Sequence, residues 1–317
     1  MYNCTYLTFI KPLFEEDKVD VGDLIEQGRY EEALKQVKGD DEDSRLLRAF
    51  LLLKLDRPEE ALKELDGVEG LEAGYLRAEA LEALGKEEEA LQELESLAKD
   101  YPGNHFLHYE LAEKYFEMGE LERARDHIDR ALNLLPFSYD YQFLKAKILY
   151  AMGDYEGAIQ YLTNVIAMNP KNVEARVMKA MSYYNLGMKM DALSEVNRAI
   201  DLDKNNVDLH LLKARIYFET GFYKLALAEY KIALRLRPND PEILYSVAVC
   251  SFFVGLFKDA LPYIDKALSI RQEGKYFALK AHILFSLGER EKAKELARKA
   301  ISMDKGLEPE LETILKS

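Results

Sequence analysis

The chain has 317 residues, 48% hydrophobic and 32% charged, which is enough apolar material for a packed core and too little bias for a disordered or fibrous protein. Its two cysteines, Cys4 and Cys250, are too few for a disulfide framework and too far apart in sequence for a metal clip. The formal net charge of −14 lies in residues 1 to 104, where 13 Lys and Arg face 27 Asp and Glu, so phosphate backbones are repelled and basic partners are drawn in. Nucleic acid is therefore not an expected ligand. A solvated acidic surface kept for solubility explains the same charge.

At the start of the chain, MYNCTYLTFIKPLFEED lacks the basic opening and long apolar run of a signal peptide. No stretch reaches about 18 apolar residues, and Tyr2 stands where myristoylation requires glycine. The expectation is a cytoplasmic protein without membrane contact. Residues 1–13 are nonetheless too apolar for a free tail, with Tyr2, Tyr6, Leu7, Phe9, Ile10 and Leu13 among them. They are expected to pack on the first helices or to fold into a groove.

From there a phrase of glycine followed five residues later by alanine recurs: Gly28/Ala33, Gly85/Ala90, Gly119/Ala124, Gly153/Ala158, Gly187/Ala192, Gly221/Ala226, Gly255/Ala260 and Gly288/Ala293, with Asp56/Ala61 as the variant. The step is 34 residues from Gly85 to Gly255 and 33 to Gly288, whereas the two earlier steps are 28 and 29, which predicts shortened helices in the first two units. A second alanine lies seven residues before most of the glycines, as at Ala78, Ala112, Ala180 and Ala214. Apolar residues at helical spacing before the glycine (Leu144, Ile148, Leu149) and after it (Ala158, Ile159, Leu162, Val165, Ile166) predict two amphipathic helices per unit, called A and B. The glycine suits the left-handed residue that ends helix A, and the alanines let two helix backbones approach. Pro102, Pro136, Pro170 and Pro238 fall between units, where one helix must stop before the next begins.

The runs AKILYAMGDYEGAIQYLTNVIAMNPKN, KAMSYYNLGMKMDALSEVNRAIDLDKNN and KARIYFETGFYKLALAEYKIALRLRPND resemble the tetratricopeptide repeat family, and the resemblance covers nearly the whole chain. It implies an all-α, right-handed superhelical solenoid of about nine helical hairpins over residues 14–307. A short helix at 308–317 is expected to cap it, with Leu311, Ile314 and Leu315 turned inward and Glu308, Glu310 and Glu312 in water. The sequence departs from the family pattern in having no tryptophan.

The resemblance also implies a concave face lined by A helices that binds peptides or protein segments. Its stripe here is rich in rings: Tyr109 and Phe116; Phe143, Lys147 and Tyr150; Met181 and Tyr184; Arg215 and Phe218; and Tyr245, Phe252 and Phe253. These residues form the candidate peptide-binding groove, extended by Tyr75, Val177, Leu211, Val249 and Phe285 and by the polar Glu79, Glu113, Asn185 and His282. Exposed aromatic surface marks contact sites. The alternatives are that the rings touch one another or that the N-terminal segment covers them. The expected role is a protein-interaction scaffold or adaptor for a protein or peptide of basic or amphipathic character. A self-assembling structural subunit that uses the solenoid ends or the convex face is the other reading, so a homo-oligomer stays open.

Catalytic and cofactor readings find little support. No Gly-rich phosphate loop, H-E-x-x-H or C-x-x-C occurs, and neither a cofactor, a metal nor an enzymatic activity is expected. His105, His108 and His127 share one repeat, but surface or packing roles suffice for them. The run Asp40, Asp41, Glu42, Asp43 reads as the acidic first turn of a helix, and Cys250, amid Val247, Ala248 and Val249, as a buried small hydrophobe. The lysine and asparagine pair with which some family members clamp a C-terminal carboxylate is not reproduced at Tyr109/Glu113, Phe143/Lys147 or Leu211/Arg215.

Overall fold

The structure is a computed structural model that describes residues 19–317, with side chains from residue 21 onward; the expected N-terminal segment 1–13 lies outside the described residues. The described residues are all-α, without a strand, and form two compact units divided between Met152 and Gly153.

In the first unit α1 (Val19–Glu26) pairs with α2 (Tyr30–Gln36), α3 (Glu42–Lys54) with α4 (Pro58–Glu64), α5 (Leu71–Ala83) with α6 (Glu87–Asp100) and α7 (His105–Glu117) with α8 (Leu121–Leu134). The last helix of this unit, α9 (Tyr139–Met152), lies on α8. In the second unit α10 (Tyr155–Met168) packs on α11 (Val173–Asn185), which pairs with α12 (Lys189–Leu202). Then come the hairpins α13 (Val207–Glu219) with α14 (Tyr223–Leu236), α15 (Pro241–Phe253) with α16 (Phe257–Ile270) and α17 (Gly274–Ser286) with α18 (Arg290–Met303). Helix α19 (Glu308–Lys316) lies on α18 and buries Leu311 and Ile314 while its glutamates stay exposed.

Why the chain turns where it does is visible at each glycine. In α7 the amide of Gly119 donates to the carbonyl of Phe116 at 3.0 Å and that of Glu120 to Tyr115 at 2.8 Å, which is the left-handed helix stop that satisfies two orphan carbonyls. Gly119 has φ 77°, and Asp56, at the one phrase without glycine, adopts φ 57° as the only non-glycine residue at positive φ among those described. The same pair of bonds forms there, from Asp56 to Leu53 and from Arg57 to Leu52. At the other end of the A helices an Asn or Asp accepts the free amides: Asn104 from Phe106 and Leu107, Asn172 from Ala175, Asn206 from Asp208 and Leu209, and Asp240 from Glu242 and Ile243. The shortening expected for the early units falls on their B helices, since α2 and α4 have 7 residues against 14 in α6 and α8, while α3 keeps the 13 residues of α5 and α7.

The alanines of both phrases sit where helices cross. Ala112, Ala124, Ala180, Ala192, Ala214, Ala226, Ala248 and Ala260 have no exposed surface. Around them Leu47, Leu51 and Leu65 in the first unit and Val247, Ile264 and Ile283 in the second are fully buried, each contributing about 1.5 to 3 kcal/mol by leaving water. Cys250 is equally buried, a packing residue beside Val247 and Ala226.

A second period of 34 residues is polar. The fourth residue of successive A helices reaches back to the carbonyl six residues earlier: Gln142 to Pro136 at 2.7 Å, Arg176 to Pro170 at 2.9 Å and His210 to Lys204 at 3.1 Å, with His108 at 3.3 Å from the Pro102 oxygen. Three of these side chains also reach the B helix of their own hairpin, His108 to His127, Arg176 to Glu195 and His210 to Glu229. Glu195, only 6% exposed in its side chain, additionally takes Arg198 at 2.9 Å and Lys179 at 3.6 Å. Burying that carboxylate is tolerable because cations surround it.

Candidate protein-binding groove

The A-helix residues singled out in the sequence fall into separate sets, one in each unit. In the first unit Glu79 and Glu82 of α5 face Glu110, Glu113 and Glu117 of α7 across a cavity of about 260 Å³, with Tyr75, Lys54 and Lys114 on its wall. Two of the five carboxylates are paired, Glu79 with Lys54 at 3.1 Å and Glu82 with Lys114 at 2.6 Å. Glu113 accepts from the Tyr109 hydroxyl at 2.5 Å. Glu79 keeps its second oxygen buried without a hydrogen-bond partner among the described residues. Burial and then the charge of Glu113 push the Glu110 carboxyl up to about 7, and burial and Glu113 likewise raise the Tyr109 hydroxyl. The chamber is thus held short of full ionisation by its own crowding.

Beside it the rings form a chain. Tyr75 lies 5.8 Å from Phe106, Phe106 lies 6.4 Å from Tyr109, and Tyr109 stacks on Tyr141 at 4.7 Å. Tyr141 is buried and hydrogen-bonded to Nδ1 of His105 at 2.7 Å. Phe116 packs half-buried against the core, Tyr150 is half-buried, and Phe143 carries the Lys147 ammonium 4.4 Å above its ring.

In the second unit Val177 and Met181 of α11 and Leu211 and Arg215 of α13 line one cavity of about 620 Å³, with Glu174 and Asp208 at its edge. Tyr184 donates to Glu219, which also pairs with Lys189 at 3.1 Å. Further along, Phe218 and Phe253, from the last turns of α13 and α15, meet edge to face at 5.4 Å. Both pack on Tyr223, the first residue of α14, with Phe253 stacked on it at 4.9 Å and Phe218 at 5.2 Å. Phe252 meets Phe253 edge on at 5.8 Å and also reaches Phe257 at 5.4 Å and His282 at 6.1 Å, and Tyr245 packs on Tyr276 at 5.1 Å beneath the Lys275 ammonium. The rings therefore touch one another, at the hairpin turns as much as along the face. Phe253 is the exception in exposure, with 51% of its surface in water.

Sequence reasoning missed Tyr223, which lies on a B helix, and Glu110 and Glu117, which complete the chamber. Carboxylates at i, i+3 and i+7 along α7 were the available signal. Of the three histidines, His108 and His127 approach at 3.2 Å between Nδ1 atoms while His105 turns to Tyr141. Among the described residues no group of three or more His, Cys, Asp or Glu side chains is arranged to hold a metal ion, and no helix is long and apolar enough to cross a membrane.

Residues 81–148 and 149–216 each match a tetratricopeptide repeat description, residues 214–249 match a second such description and residues 274–306 a third. The chain is a tetratricopeptide repeat protein. Two solved structures of the tetratricopeptide repeat class are similar to it. The C-terminal part of a repeat-containing protein from Cytophaga hutchinsonii superposes with a TM-score of 0.63 at 13% identity, covering 72% of this chain and 98% of its own. A tetratricopeptide repeat protein from Parabacteroides merdae gives 0.54 at 20% identity, covering 78% and 98%. At these identities the likeness concerns the fold. No curated protein sequence matches this tetratricopeptide repeat chain.

Proposed function

We propose that this protein is a non-catalytic scaffold whose A-helix face holds a segment of another polypeptide against an aromatic platform, with a preference for basic or amphipathic segments. Tetratricopeptide repeats are protein-interaction modules in general, which supports the coarser half of this reading. The observation that carries the finer half is Phe253, half exposed yet packed between Tyr223 and Phe218. A ring already packed by its neighbours gives up little rotamer freedom on binding, so its apolar area counts nearly in full. The half of the ring still in water is worth about 1 to 1.5 kcal/mol when a partner covers it. The acidic chamber of the first unit supports the basic preference, since three of its five carboxylates lack a lysine partner there.

The test is capture from a lysate of the native organism on immobilised wild type, Phe253→Ala and the double variant Tyr245→Ala with Phe252→Ala, followed by binding kinetics on whatever is recovered. Loss of about 1 kcal/mol or more in Phe253→Ala with unchanged helicity is expected. Reversing Glu79 and Glu82 to lysine is expected to slow association and flatten its salt dependence, with dissociation unchanged. Equal recovery by wild type and all aromatic variants would refute the groove.

A further inference from the structure

A different surface of the second unit carries a charge pattern that the groove does not use. Between the B helices α14 and α16 runs a depression of about 1010 Å³. Its floor is apolar, made by Ile232, Leu244 and Tyr263 and closed by two prolines, Pro238 and Pro262. Its charged lining is entirely cationic: Lys231 and Arg235, one helical turn apart on α14, and Lys266 across from them on α16. All three are exposed, and none is in an ion pair among the described residues; Lys266 is steadied by donating to the Pro238 carbonyl at 3.0 Å. Neighbouring lysines in the same unit do find carboxylates, Lys213 with Glu229 at 2.8 Å and Lys280 with Asp265 at 2.7 Å. Residues 105 to 317 carry 30 Lys and Arg against 30 Asp and Glu, so three cations gathered without a counter-charge over an apolar floor depart from an otherwise balanced stretch of the chain.

Pro262 is the second observation. It lies inside α16, where proline destabilises the helix relative to alanine because it removes a donor and crowds the preceding turn. The residue 34 positions earlier, Ala228, lines the same depression from α14. A rigid exposed ring replaces the stabilising residue on the wall of this one groove, so the surface is shaped at the expense of helix stability.

We propose that the groove between α14 and α16 docks an acidic amphipathic segment of a partner protein, independently of the A-helix groove. Lys231 and Arg235 are spaced i, i+4, which matches two carboxylates one turn apart on a helix lying along α14, and Lys266 takes a third from the other side. Apolar side chains between those carboxylates fill the floor. A bare inorganic anion would leave the floor empty. Nucleic acid is disfavoured by the charge of the rest of the molecule. A second copy fits less well, because the acidic part of this chain offers no exposed large apolar side chain among its described residues before Tyr101.

The probe is a fluorescein-labelled synthetic helical peptide with glutamates at i and i+4 beside leucines, titrated into the full chain and followed by anisotropy. A scrambled peptide of the same composition and decyl sulfate serve as comparisons. Saturable binding is expected, weakened about tenfold or more by Lys231→Glu with Arg235→Glu and less by Lys266→Gln, and about tenfold weaker for the scrambled peptide. Phe253→Ala should leave it unchanged, which separates failure here from failure of the A-helix groove. The proposal is overturned by absence of saturable binding, by equal binding of the charge-reversed protein, or by equal binding of the scrambled peptide. Saturation by decyl sulfate without peptide binding would assign the groove to a small amphiphile instead. Self-association in sedimentation that is lost in the charge-reversed protein would assign it to a second copy, and either result overturns the proposal.

Discussion

Gly119→Ala isolates the helix-stop geometry from packing. A β-carbon built on Gly119 meets nothing within 4 Å, so the substitution adds no clash, and what it costs is the left-handed backbone at φ 77°. That term is about 1 kcal/mol. The two carbonyls it serves, on Phe116 and Tyr115, keep their donors if the turn holds. Asp56→Gly is the reciprocal change, relieving the same strain at φ 57°, and it should gain about 0.5 kcal/mol because aspartate tolerates this region better than most residues while glycine adds freedom to the unfolded chain. Gly74 provides the contrast. It lies inside α5, where alanine would favour the helix by about 1 kcal/mol, yet its β-carbon would come within 2.5 to 2.9 Å of three Leu97 side-chain atoms. Gly74→Ala should therefore lose about 1 to 2 kcal/mol net. Urea unfolding followed by circular dichroism measures all three, with unchanged denaturant slope as the control. A loss of about 3 kcal/mol in Gly119→Ala, or none, would refute the reasoning, and so would a stabilised Gly74→Ala.

Three further outcomes follow from the polar interior. Burial and then the neighbouring His108 lower His127 to about 4, and burial lowers His108 as well, so the folded pair stays neutral where the unfolded chain binds protons near 6.5; the stability this contributes is present above about 6.5 and is lost as pH falls towards 4. Glu110, raised to about 7, has the opposite sign, since the fold holds its proton and loses stability as pH rises from about 4.5 to 7. Thermal melts of His127→Gln and Glu110→Gln across pH 4 to 8 should separate the two slopes, and identical pH profiles in both variants would contradict the assignment. Glu195→Ala leaves Arg176 and Lys179, whose side chains are 12% and 11% exposed, without their carboxylate and should cost about 3 kcal/mol in chemical denaturation, while Arg198→Ala on the exposed side should cost under about 1 kcal/mol. Burial pushes the Cys250 thiol up to about 12, so alkylation at pH 8, read by mass spectrometry of the Cys250 peptide, should appear only on unfolding. Rapid native labelling would contradict its burial.

The hairpins were legible because their stops are covalently simple. A left-handed residue followed five later by a crossing alanine leaves the same trace in every unit, so even Asp56 could be placed without a glycine beside it. The candidate groove was legible only as a stripe. Which rings meet depends on the rotation from one hairpin to the next, and no period in the sequence encodes it. Phe253 therefore finds Tyr223 from a B helix, and Phe252, its neighbour in the chain, finds Phe257. The chamber has the same character. Glu79 and Glu113 lay on the expected stripe, but Glu110 and Lys54 enter from positions off it, and their effect is set by burial that a linear reading does not reach. Gly74 left no signal at all, since its reason is a leucine 23 positions further on.

The reach of Gln142, Arg176 and His210 back to a carbonyl six residues earlier bears on how such a chain can change length. A block of 34 residues that starts at one of those carbonyls, such as Pro170 to Asp203, carries the donor for its own entry loop and the carboxylate that steadies that donor, Arg176 and Glu195. Duplicating or excising such a block strands no buried donor, acceptor or charge of this clasp, and only the apolar seam with the adjoining blocks has to be remade. Fully buried alanines recur at the same two positions of the hairpins, so an added block brings the same small residues to its packing. Gain and loss of whole blocks is then a gentler change to this molecule than many single substitutions inside one.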